Sequence, residues 1–167
     1  MKVAIGCDHI VTDIKDHMKN YLEKKGFEVV DCGTYDFERT HYPIYGKRVA
    51  EKVIDQEVDC GIVLCGTGVG ISNAASKIKG IRCALVGDVV SARYAKEQLD
   101  CNVLAVGGRV SGIGMIEDIL DVYFGSEYLG ENDELIGKLN ELGHEIERGD
   151  QLFEEFLVKC DKGEYHD

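Results

Sequence analysis

Five short runs of small and β-branched apolar residues punctuate this chain: KVAIGC (2–7), FEVVDCG (27–33), CGIVLC (60–65), RCALVG (82–87) and NVLAVGG (102–108). Several are apolar without a break. A strand with one wet face would place a polar residue at every second position, so unbroken runs fit parallel strands covered on both faces. Between them lie longer stretches with helical spacing, at 11–25, 42–56, 70–78, 90–98 and 112–125. The first carries Ile14, Met18, Tyr21 and Leu22 on one stripe and stops at Gly26. Pro43 opens the second, where its missing N–H costs nothing. The alternation predicts an α/β fold: a Rossmann-like, doubly wound, five-stranded parallel sheet with helices on both faces and right-handed crossovers.

The 167 residues suffice for one domain with a sizeable core. We expect that domain over 1–130. Residues 131–167 then form an acidic helical extension, with helices around 132–147 and 151–160. Their stripes (Leu135, Leu139, Leu142, Ile146; Phe153, Phe156, Leu157) find little remaining sheet to cover. Two homes are open to them: a neighbouring subunit, or their own sheet.

Charge narrows the partners. The net charge is −12, with −8 of it in residues 131–167, so no basic stripe exists to displace counterions from nucleic acid. No apolar run approaches the roughly 18 residues of a membrane span. The seven cysteines form an odd set without a CxxC pair, and MKVAIGCDH lacks the apolar core of a secretory signal. Reduced thiols and a cytoplasmic location follow as the expectation. The His and Cys spacings match no usual zinc site, so no metal is expected.

Ligands of open parallel sheets gather at the carboxyl ends of the strands, where strand order reverses. With order 2-1-3-4-5, the first and third runs are neighbours at that point. Cys7, Asp8 and His9 follow the first run, and CGTGVG (65–70) follows the third. The loop GTYDFERTHYP (33–43) lies nearby and brings Arg39 and Tyr42. Gly66, Gly68 and Gly70 can take positive φ and turn backbone N–H groups toward an anion, such as a phosphate or the oxyanion of a reacting carbonyl. A thiol beside such a loop carries more thiolate near neutral pH, which singles out Cys65 from six cysteines read as small buried hydrophobes. Asp8 reads equally well as a cap for the next helix, and Arg39 and Tyr42 as surface residues. Neither GK[ST] nor GxGxxG is present in nucleotide-binding position.

Taken together, IGCDH, GTYDFERTHYP, CGTGVGISNAASK, GIR and NVLAVGGRV, in this order, resemble the ribose-5-phosphate isomerase B and galactose-6-phosphate isomerase family over residues 1–128. The terminal EFLVKCDKGEYHD, with GCDHIVTD and RTHYPI, points to the galactose branch. The resemblance implies aldose–ketose isomerisation through a cis-enediolate, without metal or organic cofactor, the substrate being galactose 6-phosphate in equilibrium with tagatose 6-phosphate. It implies Cys65 as the base. Thr67 and the amides of Gly66, Gly68 and Gly70 would hold the enediolate oxygen. Asp8, His9, Arg39 and Tyr42 would bind sugar hydroxyls or phosphate, with His9 a helper in ring opening.

Two departures matter. Many ribose enzymes of the family carry a His-Asn pair where this chain has Gln98-Leu99, and phosphate arginines where it reads YLGENDELIGKL. The resemblance therefore implies an oligomer in which an A-type subunit supplies the missing histidine and arginines. Other readings are a ribose-5-phosphate isomerase and a catalytically silent sugar-phosphate-binding subunit.

Overall fold

The computed structural model describes residues 1–141 together with Val158 and Lys162. Five strands alternate with helices: β1 (Lys2–Cys7), α1 (Thr12–Lys24), β2 (Glu28–Asp31), α2 (Tyr42–Ile54), β3 (Cys60–Cys65), α3 (Val69–Ala75), β4 (Cys83–Leu85), α4 (Val89–Glu97), β5 (Val103–Gly107) and α5 (Ile113–Gly125). A 3-10 turn at His9–Val11 precedes α1, and α6 (Asp133–Glu141) follows α5. The anticipated helix at 151–160, and the continuation of α6 to 147, lie outside the described residues.

All strand pairs are parallel, in the order β2-β1-β3-β5-β4. This corrects the expected order 2-1-3-4-5 at one place: β5 is the neighbour of β3, and β4 takes the edge. Burial gives the reason. All five residues of β5 are buried, and Val103 to Val106 are fully enclosed, so this strand needs a partner on each side. The three residues of β4 are only partly covered and its Leu85 is exposed, which an edge position tolerates.

Alternation along the strands sorts side chains onto two faces. Val3, Ile5, Cys7, Ile62, Leu64, Leu104 and Val106 pack with Met18 and Leu22 of α1, Ala92 of α4, and Ile116, Ile119 and Leu120 of α5. Ala4, Val63, Cys65, Val103 and Ala105 face the other way, onto Ile44, Tyr45, Val49 and Val53 of α2 and Ile71 of α3. Each large side chain so enclosed contributes about 1.5–3 kcal/mol over its exposed state. The same sorting points Cys65 toward α2 and α3.

One buried charge stands against this apolar background. The Lys15 side chain is 0% exposed, yet its ammonium lies 2.8 Å from both Asp31 oxygens, 3.1 Å from Asp16 and 2.9 Å from the Thr34 carbonyl. Burial pulls its pKa down, but the Asp31 and Asp16 carboxylates outweigh burial and hold it above the ordinary value. The pair ties α1 to the end of β2 and to the loop after it. Lys15→Met leaves the Asp31 carboxylate, 13% exposed, without its main partner. A loss of about 3–5 kcal/mol is expected in urea denaturation at neutral pH. Because the folded pKa is raised, this contribution is complete below the unfolded lysine value of 10.5 and fades as pH rises through the higher folded value.

Candidate active site

The site forms where β1, β3 and β5 end side by side. Cys7 pairs with Leu64, and Cys65 with Gly107, so the loops after all three strands emerge together. The Gly108 N–H donates to the Cys65 carbonyl and the Arg109 N–H to the Gly66 carbonyl, both at 2.9 Å. These bonds dock the turn after β5 onto the glycine cradle.

Within the cradle the three glycines do different work. Gly68 alone of the three has a positive φ, of 80°. A Cβ there would also stand 2.5 Å from Leu85 Cδ1 and 2.9 Å from the Val106 carbonyl carbon. Gly70 sits inside α3 and is needed for space: a Cβ would lie 2.5 Å from Cζ of Tyr42. Gly66 is roomy, its nearest neighbour for a Cβ being Ile10 Cγ2 at 3.8 Å. Of the three glycines that can take positive φ, only Gly68 uses that freedom. One left-handed residue suffices to turn β3 into α3, and Gly70 is already helical.

Cys65 is 4% exposed, and its sulfur accepts the Gly68 N–H at 3.1 Å. That amide is therefore directed at the sulfur. Thr67 is exposed on the loop, and its Oγ1 accepts the Val69 N–H at 3.3 Å. A hydroxyl whose oxygen already accepts a bond keeps its own proton for a ligand. Burial pushes Cys7, Cys60 and Cys83 up to about 12, and Cys32 and Cys101 to about 11.

Asp8, 3% exposed, accepts the Ile10 N–H at 3.1 Å, so the capping role expected of it is present on the 3-10 turn. Burial raises its pKa, against the lowering effects of that bond, of His9 and of Arg109. His9 is half-buried, and its Nδ1 accepts the Thr40 N–H at 3.3 Å. Tyr42 leads α2 and lays its ring over Gly70. Arg39 lies exposed on the loop before Thr40. The structure thus gathers Asp8, His9, Cys65, Gly66, Thr67, Gly68 and Gly70 at one sheet edge, with Tyr42 against them.

Sequence reasoning passed over Arg109. Its guanidinium donates to the Ile10 carbonyl at 3.4 Å and acts electrostatically on Asp8. The signal was GGRV directly after the fifth run, but it becomes meaningful only once β5 lies beside β3. Gln98 sits elsewhere: its carbonyl and its Oε1 each accept Asn132 Nδ2 at 3.0 Å. Among the described residues, no three His, Cys, Asp or Glu side chains gather as a metal would require. No described helix is long and apolar enough to cross a membrane.

A family model described as Ribose/Galactose Isomerase matches residues 3–141. This chain belongs to the ribose/galactose isomerase family. It is 56% identical over 171 residues to galactose-6-phosphate isomerase subunit LacB of Clostridium acetobutylicum, covering 99% of this chain and 98% of that one. Ribose-5-phosphate isomerase B of Escherichia coli K12 is 45% identical over 129 residues, or 77% of this chain and 87% of its own. Among solved structures, ribose-5-phosphate isomerase B of Clostridium thermocellum matches with a TM-score of 0.84 and 43% identity, covering 85% of this chain and 97% of that one. The ribose/galactose isomerase fold is therefore this Rossmann-like sheet, and the chain is a sugar-phosphate isomerase.

Gly70→Ala tests how the cradle is packed. The added methyl must displace the Tyr42 ring, so a stability loss of about 1–3 kcal/mol by denaturant titration is expected. A double variant Gly70→Ala/Tyr42→Ala should recover the part due to collision, since the two changes meet at one contact.

Proposed function

We propose that this chain is an aldose–ketose isomerase subunit that interconverts D-galactose 6-phosphate and D-tagatose 6-phosphate, with Cys65 as the base. The observation that carries the reading is the Cys65 sulfur, seated at the end of β3 beside a glycine turn and held by the Gly68 amide. A thiolate there takes the proton from C2 of the open-chain aldose, and the C2 electron pair moves toward the carbonyl to form a cis-enediolate. The resulting thiol returns a proton to C1, giving the ketose and regenerating the thiolate. Hydroxyl protons move between O1 and O2 in the same passage. The Thr67 hydroxyl and the amides of Gly66 and Gly70 stabilise the enediolate oxygen, while the Gly68 amide serves the sulfur. Asp8, His9, Arg39 and Tyr42 bind sugar hydroxyls and phosphate, and Arg109 joins them as a cation at the same edge.

The near full-length likeness to a galactose-6-phosphate isomerase subunit favours the hexose, because it extends through the tail, whereas the E. coli ribose enzyme matches 77% of this chain. The word subunit in that relative's name supports a composite site, to which an A-type chain adds the phosphate arginines and the histidine absent at Gln98. The surface beside the cradle is apolar enough to be covered: Leu85, at the edge strand, is 44% exposed, and Val69, Val90 and Tyr94 are 52%, 74% and 58% exposed. A pentose reading rests on the close structural match to ribose enzymes.

Isomerisation of galactose 6-phosphate is measured with the purified chain alone and mixed with an A-type subunit. Turnover only in the mixture is the expected result, and Cys65→Ala should then lower it by roughly 10²–10⁴-fold while sugar-phosphate binding persists. Full turnover by the chain alone would overturn the composite site. A preference for ribose 5-phosphate would replace the hexose reading, and unchanged turnover in Cys65→Ala would remove the thiol from the mechanism.

A further inference from the structure

Two candidate proton-handling groups, Cys65 and His9, stand at the same end of the sheet, and a partly buried hydrogen-bond chain to His9 bears on their roles. The Thr40 N–H donates to His9 Nδ1 at 3.3 Å. A ring nitrogen that accepts a hydrogen bond carries no proton, so neutral His9 must hold its proton on Nε2. Thr40 is itself fixed from below. Its Oγ1 lies 2.9 Å from the Tyr45 hydroxyl, and the two residues are 8% and 5% exposed. Tyr45 belongs to α2 and is packed in the core with Val49 and Ile44. The rest of the loop is pinned as well, by Thr12 Oγ1 on the Asp36 carbonyl at 2.7 Å and by Lys15 on the Thr34 carbonyl. Thr12 Oγ1 also contacts the His9 carbonyl at 3.4 Å, so the backbone of His9 and the loop that reads its ring are held by the same side chain.

We propose that Tyr45, acting through Thr40, locks His9 in the tautomer protonated on Nε2, so that His9 serves the isomerase as a hydrogen-bond donor to a substrate oxygen and never as its base. Tyr45 and Thr40 are positioning residues, since neither takes part in the chemistry. The inference deepens the proposed function, because it rests on the reading of His9 as a site residue. It leaves Cys65 as the group that accepts the carbon-bound proton. It also gives a role to the buried tyrosine–threonine pair between the loop and α2.

The test reads nitrogen chemistry and catalysis separately. The full-length chain is labelled with ¹⁵N-histidine, and the His9 signals are assigned by their loss in His9→Asn. The wild type should show a pyridine-like Nδ1 and a pyrrole-like Nε2 at neutral pH. Tyr45→Phe and Thr40→Val each delete one hydroxyl of the pair with little change of volume. Each should mix the two tautomers and lower kcat for galactose 6-phosphate about tenfold in the active assembly, the size expected for one misdirected hydrogen bond. The double variant should be no worse than either single one, because both remove the same bond. A proton on Nδ1 in the wild type would overturn the proposal. So would tautomers unchanged in both variants, or altered tautomers with kcat intact. A wild-type chain that fails to turn over galactose 6-phosphate in any assembly sinks the substrate reading instead. The nitrogen signals then still decide the lock, and kcat is read with ribose 5-phosphate.

Discussion

The parallel pairing of β3 with β1 on one side and β5 on the other is the constraint from which the site follows. Parallel strands expose all their carboxyl ends along one edge, so whatever follows those strands must share that edge. The register then sets depth. Cys65 lies level with Gly107, which lets the Gly108 and Arg109 amides bond to the carbonyls of Cys65 and Gly66. Two glycines permit this contact. A Cβ on Gly107 would stand 2.6 Å from the Thr67 carbonyl, and one on Gly68 would collide with Val106. The cradle is thus a surface feature supported from beneath by the ends of two buried strands.

That support separates one thiol from the others. Alternation along β3 sends Cys60, Ile62 and Leu64 to the face covered by α1, α4 and α5, and sends Val63 and Cys65 to the face of α2 and α3. Because β3 ends at Cys65, its sulfur is the last inward group before the chain turns at Gly68. It meets the Gly68 amide there, whereas Cys7, on the opposite face, meets Thr12 and the Thr34 backbone, and Cys60 and Cys101 lie in the apolar cluster. Residue type alone does not distinguish these cysteines. The strand end together with the face of the sheet does, since Cys7 also ends its strand but faces α1 and α5.

The loop after β2 contributes through bonds that sequence spacing cannot display. Lys15 and Thr12 on α1 lie far along the chain from Tyr45 on α2, yet together they clamp residues 34–40 from both sides. A buried ammonium is an expensive support, and it holds here because two carboxylates and a carbonyl surround it. The outcome is a polar loop held rigidly enough to present a backbone amide to His9.

The sequence by itself determined the architecture and proposed most of the candidate site's residues. Unbroken apolar runs separated by amphipathic stretches leave a parallel α/β sheet as the economical way to hide both faces, and the edge rule then selects Asp8, His9 and the 65–70 loop. The family likeness was legible in the same segments. The order of β4 and β5 was not, because a run of apolar residues states how much it must be covered, not by which neighbour. In hindsight the arginine opening RCALVG, set against the wholly apolar core of NVLAVGG, hinted at the edge. Arg109 and the Tyr45–Thr40–His9 chain needed the tertiary structure outright. They depend on which strand ends adjoin and on single hydrogen bonds, two of them across 31 and 99 residues, and such contacts leave no periodic trace in the chain.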